Sequence, residues 1–173
     1  LGLGYLAATI KKAGHEVNLM SWNMDPSVSN FSKLLRENQF DIIGIKTFTK
    51  DVAAANKTIR IIKDSLPDAV IVVGDPHPSV CDPGDVFLDL PESNYVFRGE
   101  AANLNGIHGL VWRDGEMVRF NEPFLSSDID GFDMPLWELM NPKDYKVPKI
   151  PGGPTYGYSA PLIATRGCSS VCA

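Results

Sequence analysis

The sequence has few cysteines, no long apolar run and no excess of basic residues, and each absence excludes a class of protein. Its three cysteines are odd in number and two lie at one end, which excludes a disulfide scaffold and favours a reducing, cytoplasmic compartment. No apolar stretch approaches the roughly 18 residues of a membrane span, and no signal peptide is recognisable. With 16 Lys plus Arg against 21 Asp plus Glu, the acidic balance argues against nucleic acid or an anionic membrane as the main partner.

The 173 residues suit one soluble globular domain with an appendage. The chain opens at Leu1, already in a helical pattern, and stops one residue after Cys172. We therefore expect a piece of a longer protein, with a first strand upstream of Leu1.

Strand and helix patterns alternate through the first hundred residues. Short apolar runs predict strands at 17–22, 41–47, 69–74 and 95–97, and helical spacing follows from Leu3, Asp25, Val52 and Asp82. Such alternation predicts an α/β fold, a doubly wound, Rossmann- or flavodoxin-like parallel sheet of four or five strands.

The pattern changes after Gly106. Residues 109–120 predict a β-hairpin turning at Asp114-Gly115, which we place outside the parallel sheet. Residues 121–158 are rich in Pro and Gly and predict an irregular linker lying over a surface. The predicted organisation is an α/β domain at 1–105, a hairpin and linker at 106–160, and the start of a further domain at 161–173.

Ligands of an open parallel sheet bind beyond the carboxyl ends of the strands, so the loops at 21–25, 47–50, 74–79 and 98–100 are candidates. Thr47, Phe48 and Thr49 offer hydroxyl and backbone N–H groups that suit phosphate or amide groups. A helix cap explains Thr49 as well. The loop at 74–79 follows the fully apolar strand at 69–74, and the loop at 98–100 consists of Arg98, Gly99 and Glu100.

The stretch Gly74-Asp75-Pro76-His77-Pro78-Ser79 has prolines on both sides of its histidine. Two fixed φ angles predict a rigid loop, which either shapes a site or is a stiff turn with a hydrogen-bonded His77. Cys81 is isolated and we interpret it as a small packing residue.

Two further patterns leave alternatives open. Gly2-Leu3-Gly4-Tyr5-Leu6-Ala7 matches a dinucleotide fingerprint, although close helix packing explains its small residues equally well. Cys168 and Cys172 are three residues apart, which is wrong for a C-x-x-C zinc or thioredoxin pair. A nicotinamide-type Rossmann oxidoreductase domain and a non-catalytic, receiver-like signalling domain are the alternative functions.

Together these segments resemble the cobalamin (B12)-binding radical S-adenosylmethionine family. Five of the similar segments, in the family's order, are Leu1-Gly2-Leu3-Gly4-Tyr5-Leu6-Ala7-Ala8, Asp41-Ile42-Ile43-Gly44-Ile45, Gly74-Asp75-Pro76-His77-Pro78, Arg98-Gly99-Glu100 and Ala164-Thr165-Arg166-Gly167-Cys168 with Cys172. Gly14-His15-Glu16-Val17 also resembles the family, and Leu110-Val111-Trp112-Arg113-Asp114-Gly115 and Pro135-Leu136-Trp137 resemble its connecting hairpin and linker. The third segment is similar to the family's G-G-P-H-P loop, and the fifth to the start of its C-x-x-x-C-x-x-C motif.

This resemblance implies cobalamin bound at the loops of Thr47 to Thr49, Gly74 to His77 and Arg98 to Glu100. It implies a [4Fe–4S] cluster with Cys168 and Cys172 among its ligands, S-adenosylmethionine on that cluster, and methyl transfer or related radical chemistry on an unknown substrate. Residues 161–173 would then begin the radical module.

The chain departs from the family pattern at several positions. A third cluster cysteine would lie beyond Ala173, Asp75 replaces the second glycine of the loop, and the segment from Glu100 to Gly106 is short. There is no D-x-H-x-x-G motif to supply a histidine to cobalt, so the resemblance implies base-off, His-off cobalamin.

Overall fold

A computed structural model describes residues 2–20, 28–99, 108–123, 131–141 and 143, and the chain divides into two compact units. One unit comprises residues 25–126, and the other combines residues 1–24 with 127–173. Within the described ranges, no helix has both the length and the apolar character to cross a membrane.

The larger unit contains a five-stranded sheet whose strands are ordered as they follow along the chain. The strands are β1 Ile42–Lys46, β2 Val70–Gly74, β3 Tyr95–Phe97, β4 Leu110–Asp114 and β5 Met117–Phe120. The first three are parallel, and the last two are added antiparallel. The predicted α/β class is confirmed, because the apolar, β-branched runs form the parallel strands and helices separate them.

Five α-helices accompany these strands within the described residues: α1 Gly2–Lys12, α2 Val28–Glu37, α3 Val52–Ser65, α4 Pro76–Val80 and α5 Val86–Asp89. Helix α3 confirms the helix predicted from Val52, whose apolar residues Val52, Ala55, Ile59 and Ile62 are spaced by 3 and 4, and a short 3₁₀ turn, Thr49–Asp51, precedes it. Alternate strand residues and one face of α3 form the fully buried core: Ile59, Ile62, Ile71, Val73, Val96 and Val111. Burying each such side chain stabilises the fold by about 1.5–3 kcal/mol.

The hairpin was predicted outside the sheet, and that prediction is wrong. Strand β4 pairs with β3, so that Val96 lies opposite Val111 and both are fully buried. Arg113 of β4 donates to the carbonyl oxygens of Ser93 at 3.0 Å and Pro91 at 2.8 Å. The hairpin joins the sheet because β3 offers it both an unpaired edge and a place to bury an apolar residue.

The strand predicted at 17–22 is also wrong over its described part. Residues 15–20 have no regular secondary structure, and none of the described strands pairs with them. Ser21 and Trp22 lie outside the described residues, together with the predicted helix cap at Asp25. A strand requires a partner for its backbone groups, and an apolar pattern alone does not supply one.

The rigid loop predicted at 74–79 is instead helix α4 after Gly74 and Asp75. Pro76 is its first residue and Pro78 its third. Prolines are tolerated there because the first N–H groups of a helix have no partner within the helix. The fixed φ angles of these prolines therefore favour the helix rather than prevent it.

In the smaller unit, α1 packs against the segment Pro135–Met140 of the predicted linker. A Cβ added at Gly4 would lie 2.6 Å from Met140 Sδ, and the Leu136 amide donates to the Gly4 carbonyl at 3.0 Å. Lys11 pairs with Glu138 at 3.0 Å. Close packing thus accounts for Gly4, one glycine of the dinucleotide-like pattern.

Candidate functional site

The two candidate loops that follow β1 and β2 meet at the carboxyl edge of the sheet. Parallel register places Lys46 opposite Gly74, and the Thr47 amide donates to the Gly74 carbonyl at 3.0 Å. The His77 amide in turn donates to the Thr47 carbonyl at 3.1 Å. The structure therefore brings the segments 47–49 and 74–77 together, as their positions after neighbouring strands predicted.

Thr47 is a fully buried polar residue at this edge. Its hydroxyl Oγ1 has no hydrogen-bond partner in the part of the chain that the structure describes. A buried polar group without a partner costs about 1–3 kcal/mol, so the fold keeps this hydroxyl at the expense of stability.

Asp75 has a backbone conformation that normally belongs to glycine. Its φ is 83° and its ψ is −163°, and it is the one non-glycine residue with positive φ among the described residues. Such a conformation costs of order 1–3 kcal/mol in a residue with a side chain. The carboxylate forms an ion pair with Lys46 at 2.8 Å, which ties the loop to the end of β1.

His77 points into the fold, with only 4% of its surface exposed. Its Nδ1 lies 3.4 Å from Thr49 Oγ1, and its Nε2 lies 3.2 Å from Asp89 Oδ2 at the end of α5. Thr49 therefore contacts the histidine, and no cap hydrogen bond is made by the residues at the N-cap positions of the 3₁₀ turn and α3.

Cys81, interpreted from sequence as a packing residue, belongs to the same cluster. Its Sγ lies 3.6 Å from His77 Nε2, and one ligand atom each from His77, Cys81 and Asp89 lie within 4.8 Å of one another. Burial raises the pKa of the Cys81 thiol, and the Asp89 carboxylate raises it further, while the Arg98 guanidinium opposes both. Both larger effects favour the neutral thiol over the thiolate.

Sequence reasoning missed Cys81 and Asp89 as partners of His77. The spacing of four residues between His77 and Cys81 was an available signal, because residues four apart share one face of a helix. That signal was hidden once the segment was interpreted as a loop. Asp89 comes from another element, and its proximity depends on the tertiary fold.

The loop after β3 supports α4. Arg98 donates to the carbonyl oxygens of Pro78 at 3.2 Å and Cys81 at 3.1 Å, and the Gly99 amide donates to Ser79 Oγ at 2.9 Å. An arginine on the last carbonyls of a helix satisfies groups that have no partner within it. Arg98 and Gly99 thus adjoin the candidate edge through α4.

The remaining predicted site residues are Phe48, which the structure describes, and Glu100, Cys168 and Cys172, which it does not. Phe48 is 42% exposed, and Lys46 Nζ lies 4.8 Å from the centre of its ring. Glu100, Cys168 and Cys172 lie outside the described residues, as does the loop 21–25.

Comparisons with known proteins point to one family. Residues 1–105 match the B12-binding domain. The chain is 27% identical to an uncharacterized methyltransferase of Pyrococcus horikoshii, over 99% of this chain and 39% of that protein. It is 26% identical to the cytidylyl-2-hydroxyethylphosphonate methyltransferase of Streptomyces wedmorensis, over 96% of this chain and 34% of the relative. It is also 26% identical to the anaerobic magnesium-protoporphyrin IX monomethyl ester cyclase of Cereibacter sphaeroides, over 83% and 26% respectively.

The chain therefore spans about two fifths or less of the length of these relatives. The match at 1–105 covers more than half of the chain and includes the apposed loops after β1, β2 and β3. This protein belongs to the B12-binding domain family.

Proposed function

We propose that this chain is the cobalamin-binding part of a B12-dependent radical S-adenosylmethionine enzyme, which carries out methyl transfer or related radical chemistry. The match of residues 1–105 to the B12-binding domain is the observation that carries the proposal. Two of the three relatives described above are named as methyltransferases and one as a cyclase, which supports that range of chemistry. The radical part of the proposal rests on the C-x-x-x-C motif at Cys168 and Cys172.

The proposed cobalamin site is the carboxyl edge formed by the loops of Thr47 to Thr49 and Gly74 to His77, with Arg98 to Glu100 beside them. The residues of this edge fit such a ligand in three ways. Thr47 holds a hydroxyl that has no partner among the described residues, Gly74 has no side chain, and Phe48 offers exposed aromatic surface. A ligand with hydrogen-bonding groups and flat apolar rings matches this combination.

His77 is unsuited to bind cobalt in this arrangement. Its ring is buried, with Nδ1 directed at Thr49 and Nε2 directed at Asp89, so neither nitrogen is directed at the edge. We therefore expect cobalamin in its base-off, His-off form. When bound, cobalamin supplies a cobalt that carries a methyl group or assists a rearrangement, and the chain orients it and excludes water.

In the full-length protein, Cys168 and Cys172 would join a third cysteine in holding a [4Fe–4S] cluster, which binds S-adenosylmethionine. Two thiolates do not hold such a cluster securely, so this chain alone should purify without cluster absorption. Anaerobic reconstitution with iron and sulfide tests the assignment. A stable [4Fe–4S] spectrum from these 173 residues would show that the cysteines have other partners. Cytoplasmic location and a non-nucleic-acid substrate are part of the same proposal.

Titration of hydroxocobalamin into the full-length protein tests cobalamin binding. The expected result is saturable binding with a base-off, His-off absorption spectrum. The absence of binding at high micromolar concentration would contradict the proposal. A histidine-ligated spectrum that disappears in His77→Ala would show that the loops are assigned wrongly.

A further inference from the structure

The cluster of His77, Cys81 and Asp89 has the composition of a transition-metal site. It combines an imidazole nitrogen, a thiol sulfur and a carboxylate oxygen, which are the three ligand types that zinc binds in proteins. Two short helices supply them: His77 lies in the first turn of α4, Cys81 directly follows α4, and Asp89 is the last residue of α5. None of these three side chains is needed to form the edge between Thr47 and Gly74.

Two of the three distances within the cluster agree with tetrahedral zinc, and the third, from Cys81 Sγ to the Asp89 carboxylate, is within 4.8 Å. Zinc bonds of about 2.0–2.1 Å to nitrogen or oxygen and about 2.3 Å to sulfur require N···O edges near 3.3 Å and N···S edges near 3.6 Å. The observed separations are 3.2 Å from His77 Nε2 to Asp89 Oδ2 and 3.6 Å from Nε2 to Cys81 Sγ. Sγ is also 3.8 Å from Nδ1, so the sulfur lies beside both ring nitrogens rather than ahead of Nε2. Metal binding would therefore require the ring to turn about its Cβ–Cγ bond, which directs Nε2 at the metal.

The surroundings also suit a metal-bound histidine. Metal-ligating histidines usually donate their other N–H to an oxygen, and Nδ1 lies 3.4 Å from Thr49 Oγ1. The neighbouring cation, Arg98, is directed at the Pro78 and Cys81 carbonyl oxygens. His77 is buried, whereas the Asp89 side chain is 53% exposed and leaves the cluster open to solvent on one side.

We propose that His77, Cys81 and Asp89 form a three-residue Zn²⁺ site whose fourth position is open to water. Binding replaces the Cys81 thiol proton with the metal, so one proton is released to solvent for each ion bound at neutral pH. The ion joins α4 to α5 and holds the histidine against Thr49. The proposal does not depend on cobalamin.

Cobalt(II) is the probe, because tetrahedral thiolate coordination gives it a charge-transfer band and visible d–d absorption. The 173-residue chain carrying Cys168→Ser and Cys172→Ser is titrated, so that Cys81 is its one thiol. We expect one ion per chain, a thiolate-to-cobalt band, and displacement by Zn²⁺. A hundredfold excess of zinc over its dissociation constant should raise Tm by roughly 5–10 °C.

Two substitutions identify the ligands. Cys81→Ser should abolish the charge-transfer band, and Asp89→Asn should weaken binding at least tenfold. Asp85→Asn is the matched control, since Asp85 is an exposed carboxylate that directly precedes the same helix and lies outside the cluster. Its affinity should be unchanged.

An ordinary hydrogen bond from His77 Nε2 to Asp89 is the alternative explanation of the 3.2 Å contact. It predicts no charge-transfer band and equal affinities for Asp89→Asn and Asp85→Asn, and either result would overturn the proposal. Circular dichroism shows whether Cys81→Ser remains folded. If it does not, Asp89→Asn decides, because Asp89 is exposed and its loss leaves the core intact.

Discussion

Replacing Thr47 with valine should make this protein more stable. Valine has nearly the shape of threonine, so the substitution removes the hydroxyl and leaves the volume unchanged. Exchanging threonine for valine in a core is normally costly because the hydroxyl has a partner. At Thr47 the hydroxyl is fully buried and, within the described chain, unpaired.

The size of the stability gain follows from the cost of burying a hydroxyl without a hydrogen-bond partner. Leaving a buried hydroxyl unsatisfied costs about 1–3 kcal/mol, and the added methyl group is itself favourable in an apolar site. We expect Thr47→Val to raise the free energy of unfolding by about 1–2 kcal/mol. For a chain of this size Tm should rise by roughly 2–8 °C.

Urea denaturation of the isolated chain measures this change as a higher midpoint with an unchanged slope. Thr58→Val is the control, because Thr58 is half-buried on α3 and its hydroxyl donates to the Ala54 carbonyl at 2.9 Å in a solvent-exposed hydrogen bond. Its stability should change by no more than about 0.5 kcal/mol. A loss of 1 kcal/mol or more in Thr47→Val would mean that the hydroxyl has a partner and would refute the reasoning.

The same substitution also tests the proposed cobalamin contact, and there it should weaken binding although it raises stability. If the Thr47 hydroxyl pairs with the ligand, Thr47→Val in the full-length protein loses one hydrogen bond of about 1 kcal/mol and binds hydroxocobalamin about fivefold more weakly. Unchanged affinity together with raised stability would place the ligand away from Thr47.

Three other changes follow from the structure. Asp75→Gly should raise the free energy of unfolding, measured by urea denaturation, by about 1 kcal/mol. The substitution relieves the positive φ and loses only a partly exposed ion pair with Lys46. A less stable variant would mean that the ion pair contributes more than the strain costs. Gly4→Val should lower the free energy of unfolding by about 1–3 kcal/mol, observed as a lower Tm, because the valine side chain would collide with Met140 Sδ. An unchanged Tm would mean that the Pro135–Met140 segment does not pack against Gly4. In the metal-free chain, alkylation of Cys81, followed by peptide mapping across a pH series, should have its midpoint above that of an unstructured cysteine peptide, and unfolding in urea should abolish the difference.

The candidate site was predicted from sequence in one respect and missed in another. The apposition of the loops at Thr47 and Gly74 follows from their positions after two adjacent parallel strands, and the structure confirms that apposition. The contacts of His77 with Cys81 and Asp89 were not predicted, because they depend on α4 being a helix and on where α5 ends. Binding of cobalamin at these loops stays a prediction.

Strands β1, β2 and β3 and helix α3 could be recognised from sequence alone, because each depends on a short window of residues. A β-branched apolar run favours an extended, buried backbone, and apolar spacing of 3 and 4 favours a helix with one buried face. These local preferences also determined the α/β class, since their alternation along the chain requires parallel strands.

The tertiary structure decided what depends on partners distant in sequence. Residues 17–20 have the pattern of a strand but no described strand pairs with them, whereas the hairpin gained its place in the sheet from the free edge of β3. The grouping of His77 with Asp89 is likewise a property of the assembled fold, and so is the Thr47 hydroxyl that finds no partner within the described ranges. Hydrogen-bond pairing and burial join residues across long stretches of chain, and a local pattern holds no information about which partner will be there.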